Sequence, residues 1–230
     1  CLVGSEMCIR DSFGGTPFGG EATQGMERFP YNTLNAENPG ISGFGDLYQN
    51  INQMNLFISR TLHADVLTES AKNYYLGQVY GLRAYYMYQL YRSWGDAVFT
   101  EEPSLGFEVG KLAKAATPAA EIFEQVKKDI ESSLSYFGPD YTIKEKKSLW
   151  SKAATLMLKA DVYLWSAHRD GGEGDARTAK NALVDIQNNI SRSNLDLMDT
   201  YQGVFAYDNK GNKEIIFTLS LIHISEPTRH

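Results

Sequence analysis

Four side chains able to ligate a cation, His168, Asp170, Glu173 and Asp175, crowd into the run HRDGGEGD. Imidazole and carboxylate groups at this spacing are the donors a metal ion takes. Glycine-rich turns between helices collect the same residue types for conformational reasons. No H-E-x-x-H, paired cysteine set or EF-hand loop accompanies them, so the reading assigns no metal and no cofactor.

Nucleophilic chemistry has equally little to work with. His63 stands beside Asp65 without a G-x-S-x-G serine, and a histidine at a helix end is favoured by the helix dipole alone. Glu101 and Glu102 are adjacent and precede Pro103, whereas glycosidase carboxylates must face each other across a sugar. The pairs Gly14-Gly15 and Gly19-Gly20 lack the lysine and following helix of a phosphate loop. No catalytic residue is assigned, and the chain reads as a protein that is not an enzyme.

Binding chemistry is better represented. Tyrosine occurs 14 times, phenylalanine 11 and tryptophan 3, and aromatic faces beside asparagine amides are how a non-catalytic glycan site is built. Phe29, Tyr31 and Phe44 alternate with Asn32, Asn35 and Asn38 in a segment rich in glycine and proline, where side chains are less obliged to pack. Tyr31, Asn32 and Asn35 are therefore the candidate ligand-binding residues.

The elements that would hold such a segment are helical. Residues 13–45 carry turn formers and read as a long loop. Leu47, Ile51, Met54, Ile58 and Leu62 then recur at helical steps, marking one apolar stripe. A second helix over 69–93 has Thr68 as its cap and Gly95 beyond its end. It holds Tyr74, Tyr75, Tyr80, Tyr85, Tyr86, Tyr88 and Tyr91, whose rings are mostly core with the hydroxyl at a wet rim. Gly77, Gly81 and Ala84 leave a flat strip on it for close approach of another helix.

Thr117 and Pro118 open a third helix, as cap and first helical residue, which Gly138-Pro139 ends. A fourth helix covers 148–168, with Ala153, Ala160 and Ala167 seven apart beside Leu149, Leu156, Tyr163 and Leu164. Residues 169–175 form a turn, and about 175–190 a fifth helix that presents Ala179, Leu183, Ile186 and Ile190. Residues 208–212 are turn chemistry, and 214–219 (EIIFTL) read as a short strand. The fold class is all-α: tetratricopeptide-like hairpins, 44–62 with 69–93 and 118–137 with 148–168, forming an irregular α-solenoid with long loops and one short strand near its C-terminal end.

Composition narrows the partners. Hydrophobic residues at 43% are too many for disorder, and a net charge of -6 argues against nucleic acid. No run reaches the apolar length of a membrane span, and no signal peptide opens the chain. Cys1 and Cys8 stand alone at the start. The opening CLVGSEMCIRDS and the ending SLIHISEPTRH resemble translated adapter sequence. Residues 1–12 and 220–230 are accordingly read as non-native, and 13–219 as one incomplete helical domain.

The run 77–103 (GQVYGLRAYYMYQLYRSWGDAVFTEEP) resembles the signature of the SusD/RagB family: Arg83-Ala84, Trp94-Gly95-Asp96 and Pro103 match, while Gln78 stands where that family commonly has glutamate. Residues 45–58, with Tyr48 and Asn55, resemble the preceding helix of that family. Residues 122–137, 151–167 and 195–217 are similar to later segments in the same order. The resemblance implies a tetratricopeptide-like scaffold that binds glycans or other nutrients. It further implies a lipid-anchored protein on the outward face of the bacterial outer membrane, acting as lid to a SusC-like TonB-dependent transporter, with the signal peptide, the anchor and a large C-terminal part absent from this chain. A tetratricopeptide scaffold gripping a protein or peptide partner is the alternative.

Overall fold

The computed structural model describes residues 44–106, 114–144, 147–206, 209 and 211–218. Its helices lie in one compact unit, Gly45–Ile216; of a second unit, Cys1–Phe44 with Phe217–His230, only Phe44, Phe217 and Thr218 are described, and they are neither helix nor strand. In chain order the helices are α1 (Gly45–Leu62), α2 (Glu69–Trp94), α3 (Ala119–Phe137), α4 (Lys152–Ser166), α5 (Gly172–Asn188) and the single turn α6 (Tyr201–Val204). The all-α hairpin architecture expected from the periodicity is what the chain adopts.

Helix α2 is the axis of the unit. Thr68 caps it, its hydroxyl accepting the Ala71 N–H at 3.3 Å, and Gly95 ends it with φ +76°, donating to the Tyr91 carbonyl at 3.0 Å. Its small-residue strip does the work expected of it. A Cβ on Gly77 would stand 3.0 Å from the Phe137 ring, and one on Gly81 would meet Trp150 Cδ1 at 2.8 Å and Thr155 Oγ1 at 2.9 Å. The backbone of α2 thus lies directly against side chains of α3, α4 and the segment before α4. Ser133 uses that proximity, donating to the Gly77 carbonyl at 2.6 Å and sharing a 2.9 Å hydrogen bond with Thr155. Trp150 donates to the same Thr155 hydroxyl at 2.8 Å. Every member of this polar cluster is buried, and every hydroxyl has a partner, as a low-dielectric interior requires.

Neighbouring helices pack in sequence: α1 on α2, α2 on α3, α3 on α4 and α4 on α5. Residues 118–137 do pair with 148–168, but α3 packs more heavily on α2, and α4 on α5. Of the α2 tyrosines, Tyr85 and Tyr88 are core residues and Tyr75 is exposed. Tyr88 departs from the expected wet rim: its hydroxyl is buried and has no hydrogen-bond partner among the described residues.

Four expectations need correction. Thr117 does not cap the third helix, because its backbone is committed to a bridge with Ala97, N–H to carbonyl in both directions at 2.9 and 3.2 Å. Pro118 occupies the cap position, and the cap bond comes from Asp96, whose carboxylate accepts the Ala119 N–H at 2.8 Å. The fourth helix begins only at Lys152, capped by Ser151. The glycine-rich stretch 169–175 is not a plain turn: Ala167–Gly171 continues α4 as one π-helical turn, and the positive φ of Gly172 (+54°) lets the chain reverse into α5. Lastly, 214–218 form no strand. A strand needs a ladder; next to this stretch the Asp196 N–H does bond the Lys213 carbonyl at 3.0 Å, but the described residues 214–218 take turn and irregular conformations.

After α3 the chain is stapled to α5. The Tyr141 hydroxyl donates to Asp185 at 2.7 Å, and its pKa is pushed up to about 12 by burial and then by that carboxylate. Because the folded value lies above the ordinary 10.0, this contribution is intact below pH 10 and is lost as pH rises through about 12. The alkaline fall in stability, followed by chemical denaturation, will be shallower in Tyr141→Phe than in the unmodified chain; equal slopes would remove Tyr141 from the staple.

The glycines separate packing from propensity. Gly81→Ala will cost about 1–3 kcal/mol, because its methyl overpacks against Trp150 and Thr155. Gly174→Ala, in α5 with nothing near its Cβ, will be neutral or stabilising by up to ~1 kcal/mol. Urea unfolding midpoints measure both.

Candidate functional site

A cleft of about 290 Å³ lies between α1 and the extended segment that follows α2. Its lining includes Tyr48, Gln49, Asn52 and Asn55 from α1, Thr100 and Ser104 from the segment, and Lys114. Ile51 and Val98 add apolar surface. Positions 48, 52 and 55 share one helix face, four and three residues apart.

The segment 97–104 has no neighbouring strand among the described residues apart from the Ala97–Thr117 bridge. Side chains of α1 supply the bonds that a strand would. Asn52 pairs with both main-chain groups of Ser104, accepting its N–H at 2.7 Å and donating to its carbonyl at 3.3 Å. Asn55 donates to the Thr100 carbonyl at 2.6 Å. Burial raises the Tyr48 hydroxyl above its ordinary pKa, opposed by its hydrogen bond to the Val98 backbone.

Asn55 connects this wall to the core. Its amide oxygen accepts from Arg83 Nη1 at 2.9 Å, while Arg83 Nε and Nη2 grip both oxygens of Asp129 at 2.7 Å each. Arg83 is 3% exposed and Asp129 1%, so this is a fully desolvated, bidentate ion pair. Burial opposes the charge on Arg83, yet Asp129's hydrogen bonds and charge carry its pKa upward. Burial also lifts the Asp129 carboxyl, countered by donors on Arg83 and Gln125, the latter at 3.0 Å. Gln125 and Lys128 both reach Glu101, at 3.1 and 3.4 Å, so that acidic residue anchors the segment to α3.

The other residues singled out in the sequence fall elsewhere. Tyr31, Asn32 and Asn35 lie outside the described residues. His63 is the helix-end histidine expected, its Nδ1 bonded to the Ser59 carbonyl at 2.7 Å. His168 and Asp170 are exposed on the π turn, and Asp175 pairs with Lys127 at 4.0 Å; among the described residues no group of three metal-ligating side chains occurs. The cleft residues Gln49, Asn52, Thr100, Ser104 and Lys114 escape a reading by motif. One signal was present: Asn52 and Asn55 interrupt the face that carries Ile51, Met54 and Ile58.

No family model matches the chain. NanU of B. fragilis is 51% identical with a TM-score of 0.77, over 88% of this chain and 39% of that one. A SusD superfamily protein from Bacteroides vulgatus is 46% identical with a TM-score of 0.75, over 86% of this chain and 40% of that one. The chain belongs to the SusD/RagB family. Among curated relatives, SusD-like protein P25 of Formosa agariphila is 26% identical over 174 residues, 76% of this SusD-like chain and 31% of the relative. A laminarin-binding SusD-like protein has the same fold, with a TM-score of 0.73 at 19% identity over 93% of this chain and 46% of that one. The chain spans about a third of the length of that curated relative and two-fifths of the two more similar solved structures.

Within this SusD-like chain, the motif residues Tyr48, Asn55, Arg83 and Asp96 all make hydrogen bonds that place the segment 96–104. Removing one partner of the buried pair leaves the other charge uncompensated. Arg83→Met and Asp129→Leu will each cost about 3–5 kcal/mol, and the double variant will cost less than either alone. Chemical denaturation of the four-member cycle gives the coupling.

Proposed function

We propose that this SusD-like chain is the helical part of a nutrient-binding protein that holds a glycan at the bacterial surface and breaks no bond in it. In this reading the ligand passes to a SusC-like TonB-dependent transporter of the outer membrane. The protein serves as that transporter's lid, outward-facing and lipid-anchored at full length.

One observation carries the reading: the motif through which the chain resembles its SusD-like relatives is also the motif that holds one wall of a polar cleft. The lining suits a sugar, with the Gln49 amide, the Thr100 and Ser104 hydroxyls and the Lys114 ammonium beside apolar Ile51 and Val98. The laminarin-binding relative of the same fold supports the ligand class. Tyr31, Asn32 and Asn35 are proposed as further contacts, a ring for a sugar face and amides for hydroxyls.

A glycan array followed by calorimetry tests this. Retention of one glycan class is expected, with a Kd between about 1 μM and 1 mM, or ~8 to ~4 kcal/mol. Tyr31→Ala will weaken that binding by about threefold to tenfold, the worth of one stacked ring. Release of shortened sugars during incubation would overturn the non-catalytic reading, and failure to retain any glycan would overturn the ligand class.

A further inference from the structure

The cleft's polar side chains divide into two groups. Asn52 and Asn55 have both ends of their amides engaged, with Ser104 in one case and with Arg83 and Thr100 in the other. Gln49 and Lys114 make no hydrogen bond or ion pair among the described residues. An amide bonded at both its NH₂ and its oxygen is held in one orientation, and a ligand can use only the N–H and lone pair left over. An unengaged one can exchange water for a ligand hydroxyl.

We infer that Asn52 and Asn55 are positioning residues: they act as a substitute strand that holds segment 98–104 at a fixed distance from α1, and Asn55 refers that distance to the buried Arg83–Asp129 pair. Gln49 is the α1 residue that meets the ligand. The assignment rests on the cleft being the glycan site proposed above. Its geometry is independent of that reading. The buried pair fixes the guanidinium, the guanidinium fixes the Asn55 oxygen, and the planar amide then presents its NH₂ to Thr100 in one orientation.

Hydrogen exchange on the 230-residue chain, read beside glycan affinity, separates the roles. Asn55→Asp keeps an acceptor for Arg83 and replaces the donor to Thr100 with a carboxylate oxygen, which cannot bond that carbonyl. Asn52→Leu, at a half-buried position, deletes both bonds to Ser104. Exchange at the amides of 98–104 will rise by about tenfold in each variant, the usual equivalent of one lost hydrogen bond, while amides in the middle of α2 stay protected. Affinity for whichever arrayed glycan the unmodified chain retains will fall in both. Gln49→Ala will lower that affinity without changing exchange in the segment. Unchanged exchange at 98–104 in both asparagine variants would overturn the positioning role. Faster exchange with undiminished affinity would overturn its link to binding. If the unmodified chain retains no glycan, the binding reading fails by itself, and the exchange result alone decides whether α1 acts as the strand.

Discussion

A charge pair that water cannot reach constrains the rest of this molecule. Arg83 of α2 and Asp129 of α3 lie 46 residues apart in sequence and meet with both guanidinium–carboxylate bonds formed. Such a pair is a poor source of net stability, since desolvating two ions consumes most of what their attraction returns. Its effect is on uniqueness. Any sliding of α2 along α3 would strand one ion in an apolar interior, so a single register is tolerated. The glycines of α2 allow the approach, and the ion pair selects the alignment.

From that alignment the polar architecture extends outward in one direction. Arg83 has a third donor, Asn55 receives it, and the Thr100 carbonyl receives the amide of Asn55. Beyond the core lies an extended stretch of backbone whose hydrogen-bonding groups need partners, as any partly buried backbone does. A sheet would provide them from another strand. Here a helix face provides them through side chains, which is why asparagine, with an NH₂ donor group and an acceptor oxygen in one plane, stands at both 52 and 55. The signature of the SusD/RagB family, where it can be followed in this chain, is largely the record of this arrangement.

How much the sequence revealed follows from the range of each interaction. Helix α2 was readable end to end because its cap, its terminal glycine and its small-residue strip are local features. The third helix was misread at its start because Thr117 had a more distant claim on its backbone, and the carboxylate that caps α3 belongs to Asp96, 23 residues earlier. The strand expected over 214–219 had the right composition, yet its described residues, 214–218, are not in strand conformation. The cleft was the least legible part. Its defining contacts join α1 to a segment about 50 residues away, and no pattern of spacing encodes them. Asparagine within an apolar stripe was the one local trace, and it is equally the trace of an ordinary polar rim.

The bridge between Ala97 and Thr117, with Asp96 capping α3 immediately beside it, closes the chain on itself at the foot of the connection between α2 and α3. The bridge fixes where the connection leaves and rejoins the helical frame, while Asn52, Asn55, Gln125 and Lys128 hold its first part, up to Ser104, to α1 and α3. Because the entropy of closing a loop grows only with the logarithm of its length, doubling the connection costs about 0.6 kcal/mol. Between Ser104 and Thr117 a lineage can therefore lengthen or shorten the connection at little cost to the helical frame, whereas the stretch from 98 to 104 changes only together with the α1 and α3 side chains that hold it.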